Sequence, residues 1–344
     1  MNWRPLVGFL LGGALLAVAL VVYASADAVA RTLGGLGLMG LLLIVLAHLP
    51  VEGLMGVAWR AAAGEVPDLS WGRFMWARLV RDAAAEILPF SQLGGFVLGL
   101  RALRLDGPRA RRGVLSLSRD VLIELSAKVP YALFGLIGLM ALAPHSDLKW
   151  FLGLGLGLIA AIVTVLSLTR RRLGNAVADL MRRISRRWPG SILSRQCMLD
   201  GNINSEFAGF VSQRSRLWLG FALHLFCWLF GAGELWLVFT LLHRPASLPQ
   251  ALVIDSTVVT LRTFGFMVPA AVGVQEGSYI LVCAVLGFSP VTAVAASLAR
   301  RARDLTLGSV TLGIAIGADR CILGRFRPTD SVPSRPVRWD SKEP

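Results

Sequence analysis

About six apolar runs of bilayer-spanning length constrain this chain more than any other feature. They lie near 5–23, 33–59, 118–143, 150–168, 217–242 and 290–322. A helix needs about 20 apolar residues to cross the hydrocarbon core. In lipid the backbone must satisfy its own hydrogen bonds, so runs of this length fold as helices. The expected class is an all-α polytopic membrane protein. Of 344 residues, 55% are hydrophobic and 16% charged, a balance that suits a protein held within the bilayer.

The start, MNWRPLVGFLLGGALLAVALVVYASADA, imitates a signal peptide with an A-S-A site at 24–26. Its apolar stretch is long for a signal and its n-region carries only Arg4, so a retained first span is expected. Residues 1–324 are expected to form a single transmembrane domain, with 325–344 a disordered cytoplasmic tail.

The formal charge of +14 is concentrated in loops, above all RRRLGNAVADLMRRISRRW (170–188). Basic loops between spans mark the cytoplasmic side, which puts both termini there. No nucleic-acid module accompanies the charge, so nucleic acid is not an expected partner. Residues 170–212 form a basic connector. Within it Leu173, Val177, Leu180, Met181, Ile184 and Trp188 make a one-sided apolar stripe. The stripe fits an interfacial helix favouring anionic lipid, or a plain connector. The four cysteines show neither metal spacing nor a disulfide framework.

Two segments break the apolar pattern. ILPFSQLGG (87–95) sits inside 71–112, and MVPAAVGVQEG (267–277) sits inside 249–289. Their apolar pieces are too short for ordinary spans, so each is expected to be a re-entrant hairpin. The context recurs. His48 precedes Pro89 by 41 positions and His224 precedes Pro269 by 45, while Arg119-Asp120 follows Pro89 by 30 and Arg303-Asp304 follows Pro269 by 34. Residues 33–143 and 214–322 therefore read as two halves of an inverted-topology repeat, an arrangement that places a binding site between discontinuous helices. Broken backbone survives in a membrane only where protein or a polar cavity satisfies it. Glu276 is expected to face such a cavity, to cap the half-helix that starts beside it, or both.

Ionisable residues inside spans cost about 2.5–3.5 kcal/mol each on insertion scales. Asp120, Glu124 and Lys128 share one helix face, with Glu124 and Lys128 an expected pair. Arg119 and Asp120 are expected near the cytoplasmic surface. His48 and Glu52 stand one turn apart, Glu234 lies in the fifth run, and Arg300, Arg301, Arg303 and Asp304 lie in the last. They read either as helix-packing ion pairs or as a polar path for a charged substrate. In the second case Arg119, Arg262, Arg300 and Arg303 could hold phosphate, which suits the guanidinium fork. His48 and Glu52 alone do not make a metal site. No HExxH, Gly-x-Ser-x-Gly or nucleotide loop is present, so neither an enzyme nor a cofactor is expected.

The stretch VPAAVGVQEG, followed by a charged span, resembles the transmembrane domain of the lysylphosphatidylglycerol synthase/flippase family. That family shows Pro-Gly-Gly-(Ile/Leu)-Gly-x-x-Glu in its second half and Leu-Pro-x-x-x-Gly in its first. Pro269, Gly273, Glu276 and Gly277 match the second motif, with Gln275 inside it; Pro89 and Gly94 match the first. Ala270 and Ala271 replace the usual glycine pair, which implies a stiffer loop. The Val-Gln-Glu-Gly wording is similar to the branch associated with hopanoid biosynthesis. The resemblance implies transport of a membrane lipid (phospholipid, polyprenyl phosphate or hopanoid) in the bacterial inner membrane, with lipid-biosynthesis enzymes as possible partners. The alternatives are an accessory subunit or scaffold, and a lipid-modifying enzyme using Glu276 or His48 as base.

Overall fold

The computed structural model describes residues 15, 18–64, 69–88, 91–104, 108–168, 214–264, 271 and 273–325. Most of the first apolar run, Pro89, Pro269, the 170–212 connector and the tail beyond Arg325 lie outside the described residues.

Among the described residues every regular element is helical. The helices are α1 (Ala26–Ala62), α2 (Trp71–Ile87), α3 (Ser91–Ala102), α4 (Pro108–Leu142), α5 (Leu148–Leu168), α6 (Arg214–Leu241), α7 (Leu248–Phe264), α8 (Val274–Val285) and α9 (Pro290–Arg325). Stretches 26–62, 112–142, 148–166 and 214–241 are long and apolar enough to cross a membrane. The chain is thus an all-α polytopic protein. The expected run at 290–322 forms one 36-residue helix, long enough to span but charged within its first half, at Arg300, Arg301, Arg303 and Asp304. The run expected from Leu33 begins earlier, at Ala26, and kinks at Gly37, whose φ of 61° suits a residue without a Cβ.

Both broken segments form a longer helix followed by a short one. α2 has 17 residues and α3 has 12; α7 and α8 have 17 and 12. Twelve residues rise about 18 Å, short of a core about 30 Å thick. Each pair precedes a long charged helix, of 35 residues in α4 and 36 in α9. The packing exchanges in the same way. α2 packs on α1 and α9, α7 packs on α6 and α4, and α1 lies against α6.

The largest apolar cluster holds Ile44, Leu139, Leu235, Phe239, Ile254, Val282 and the alanine face Ala293, Ala295, Ala296 and Ala299. A second joins Trp59, Phe74, Leu103 and Leu117. Helices in lipid associate through close packing of small residues, because lipid tails remove the hydrophobic drive. Gly95 and Gly99 bring α3 onto α2, where a Cβ would fall 2.5 Å from the Arg81 carbonyl oxygen and 2.8 Å from Arg81 Cβ. Leu38, Trp150, Leu154, Trp218 and Val310 stay on the outside, an apolar surface suited to lipid.

Candidate functional site

α2 and α4 supply the first half of a buried polar seam. Arg78, Arg81 and Asp82 share one face of α2, and Asp120, Glu124 and Lys128 share one face of α4. Asp120 is fully buried. Its Oδ2 accepts from Arg81 Nη1 at 2.8 Å and from Arg78 Nη1 at 3.4 Å, while Oδ1 meets His224 Nε2 at 3.0 Å. Glu124 Oε2 accepts from Arg78 Nη1 and Arg81 Nη2, both at 3.0 Å. Arg78 Nε also donates to Asp82. Asp120 is thus packed inside the protein. Its helix face points to α2 and α6, where two guanidiniums and an imidazole compensate the buried carboxylate. Arg119, one residue back, is partly buried. The Glu124–Lys128 separation is 4.0 Å, because both guanidiniums have claimed Glu124.

α1, α6 and α9 supply the second half. His48 lies between Glu234 (Nδ1, 2.8 Å) and Glu52 (Nε2, 3.2 Å). Glu234 also accepts from Arg303, which holds its neighbour Asp304. His48, Glu52 and Met55 step along α1 and join the halves. Glu52 lies in electrostatic range of Arg78 and beside Asp82, and Met55 Sδ is 3.0 Å from His224 Nδ1.

Three further contacts flank the seam. Arg300 pairs with Asp255, which also accepts from Tyr131 Oη, and Arg300 reaches Tyr279 Oη at 3.1 Å. Arg262 Nη2 donates to Glu86 at 2.9 Å. At the second break, Glu276 Oε2 accepts the Gly273 backbone N–H at 2.8 Å and Oε1 accepts from Arg301 Nε at 2.8 Å. Glu276 thus caps the start of α8 from its third position, an orphan N–H that a helix start must satisfy. Gln275 is buried and bonds Ser297 of α9, and Gly277 lies in the first turn of α8. Gly273 has φ of 80° and Ala271 has φ of 49°. Gly94 is partly buried in the first turn of α3.

Sequence reasoning missed Arg78, Arg81, Asp82, Glu86, Tyr131 and Asp255. A signal existed for the first four. Four of the five charges of WGRFMWARLVRDAAAEI, at 78, 81, 82 and 86, fall on one face of a helix too short to span. Tyr131 and Asp255 meet only across 124 positions and leave no local pattern.

The ligand atoms of Asp120, Glu124 and His224 lie within 4.8 Å of one another, close enough for a metal. The donor set does not fit one. Asp120 Oδ2 and Glu124 Oε2 already hold guanidiniums, and a metal ion would face Arg78 and Arg81.

A polytopic helical bundle with a buried ion-pair seam between two helix-break-helix pairs defines a class of membrane protein. A family model described as the lysylphosphatidylglycerol synthase TM region matches residues 6–311. The chain belongs to that family, and is a multi-pass, lipid-related membrane protein. It is also similar to the human serine/threonine-protein kinase TAO2, 35% identical over 126 residues, which cover 34% of this chain and 10% of that protein. The chain thus spans about a tenth of that relative's length. No solved structure matches the chain.

Proposed function

We propose that this chain is a lipid translocator. The polar head of an amphiphile passes between the two helical hairpins while its tail stays in lipid. The observation that carries the reading is a pair of hydrogen-bonded clusters, Glu234–His48–Glu52 and Arg78–Asp120–His224, drawn from both halves, linked through the Met55–His224 contact and buried or part-buried inside an otherwise apolar bundle. Buried ion pairs add little net stability over apolar packing, so their concentration between two broken helices favours a functional role.

The matching helix lengths and exchanged packing support an inverted-topology repeat, with α2/α3 and α7/α8 as re-entrant hairpins entering from opposite faces. The bacterial inner membrane is the setting that the family resemblance suggests, and the basic loops favour both termini on the cytoplasmic side. The cargo classes are a phospholipid, a polyprenyl phosphate and a hopanoid. The last would tie the protein to hopanoid biosynthesis.

The test is reconstitution of the purified chain in liposomes containing one labelled probe of each class. Wild-type protein moves one class across the bilayer, and Glu276→Gln combined with Arg303→Ala abolishes movement while the protein stays inserted. Unchanged movement in that variant, or none with the wild type, overturns the proposal. Conversion of the probe would favour a lipid-modifying enzyme, and co-purification with biosynthetic enzymes without movement would favour an accessory subunit.

A further inference from the structure

The arginines whose chemistry suits phosphate are already engaged. Arg262 holds Glu86, Arg300 holds Asp255, and Arg303 holds Glu234 and Asp304. Lys128 is placed differently. It is residue 17 of the 31 from Arg112 to Leu142, near the middle of an apolar span, and its side chain is 18% exposed. Its nearest carboxylate oxygen, Glu124 Oε1, is 4.0 Å away, beyond hydrogen-bond reach. Among the described residues nothing accepts a hydrogen bond from Nζ.

The ammonium instead lies 4.8 Å from the centroid of the Trp228 ring. Tyr131, one turn along α4, stacks on the same indole with centroids 6.0 Å apart and is anchored through its hydroxyl to Asp255. The indole is thereby fixed. Its Nε1–H is buried and has no partner, although a buried indole N–H ordinarily finds an acceptor. Two donors of opposite elements, one cationic and one neutral, are thus left without acceptors at one place. Arg78, Arg81 and Arg262 also act on Lys128 electrostatically, opposed by Glu124. Phosphoryl oxygens accept hydrogen bonds from ammonium and indole donors alike.

We propose that Lys128 and Trp228 form a subsite for the phosphoryl group of an anionic lipid headgroup. The proposal rests on the translocator reading and narrows its cargo to phosphate-bearing lipids. A lipid source suits the position, because Lys128 lies at mid-span of an apolar helix. An uncharged head would leave the ammonium without an acceptor.

The experiment is equilibrium binding to the full-length chain in dodecyl maltoside micelles, which carry no phosphoryl group. The probes are fluorescent-tailed phosphatidylglycerol and a diacylglycerol of the same tail, with excess inorganic phosphate as competitor. Lys128→Met weakens phosphatidylglycerol binding about tenfold, the scale of one lost charge-assisted hydrogen bond, and leaves diacylglycerol unchanged. Trp228→Phe, which keeps the ring and deletes the N–H, weakens it about threefold. Lys128→Arg keeps most of the affinity. If Lys128→Met fails to elute as a folded species, the Trp228→Phe and Lys128→Arg pair still decides. Equal phosphatidylglycerol affinity in wild type and Lys128→Met, or in wild type and Trp228→Phe if only that variant folds, overturns the subsite, as does equal binding of both probes. Displacement by inorganic phosphate overturns the lipid assignment in favour of a soluble anion. Translocation measured on the same proteins separates the two readings. Charge-dependent binding without movement retains the subsite and removes the translocator; movement with unaltered binding in Lys128→Met does the reverse.

Discussion

Asp120 and His224 are 104 positions apart in the chain and 3.0 Å apart in the structure. The contact ties α4 to α6 through a carboxylate that has no exposure to solvent. Asp120 is also an acceptor for Arg78 and Arg81, so its removal leaves His224 Nε2 without its partner and both guanidiniums with Glu124 as their remaining shared acceptor. Asp120→Ala is expected to destabilise the protein by about 3–5 kcal/mol, the cost of breaking a buried pair from one side. The readout is the temperature at which the purified protein loses its monodisperse elution peak. His224→Gln should cost less, and the double variant should fall short of the sum, because the two side chains share one contact.

Glu234 is held by Arg303 on one side and His48 on the other. Glu234→Leu leaves Arg303 with Asp304 and His48 with Glu52 as their remaining partners. Arg303→Met in the same chain should recover a large part of the loss, since an apolar replacement of a buried ion pair is often neutral. Denaturation in mixed micelles provides the comparison. No recovery would mean that Arg303 is held chiefly through Asp304.

Gly95 and Gly99 stand one turn apart where α3 lies against α2. A Cβ at Gly95 would meet backbone, the carbonyl oxygen of Arg81, at 2.5 Å, and backbone cannot swing aside. Gly95→Val should reduce the folded yield sharply and shift the hairpin that positions Arg78 and Arg81. Gly157, with nothing within 4 Å, is the control, and Gly157→Val should leave the yield within error of wild type.

Ala271 occupies the left-handed region with φ of 49°, at a position where the matching motif carries glycine. An L-residue there costs about 1–2 kcal/mol. Ala271→Gly relieves that strain while widening the unfolded ensemble, so a net gain of up to about 1 kcal/mol is expected. Thermal unfolding measures it, and lower stability in the variant would show that the loop depends on the alanine methyl.

Much of the fold is legible because a bilayer permits few solutions. Runs such as 118–143 and 217–242 must be helices. Glu276 is legible for the same local reason. It lies three residues beyond Gly273 at a helix start, and a side chain in that register reaches the N-cap backbone.

The pairing of charges is a different matter. Glu124 and Lys128 are neighbours on one helix, yet Glu124 bonds Arg78 and Arg81 from another. Asp120 sits among charges that suggest a surface, yet it is fully buried. The sequence by itself determined the helices, their breaks and the cap at Gly273, because these depend on hydrogen bonds and contacts a few residues apart. The tertiary structure alone decided which carboxylate each cation holds and which donors, at Lys128 and Trp228, are left over. Those contacts depend on which helix faces meet in space, and spacing along the chain does not record that.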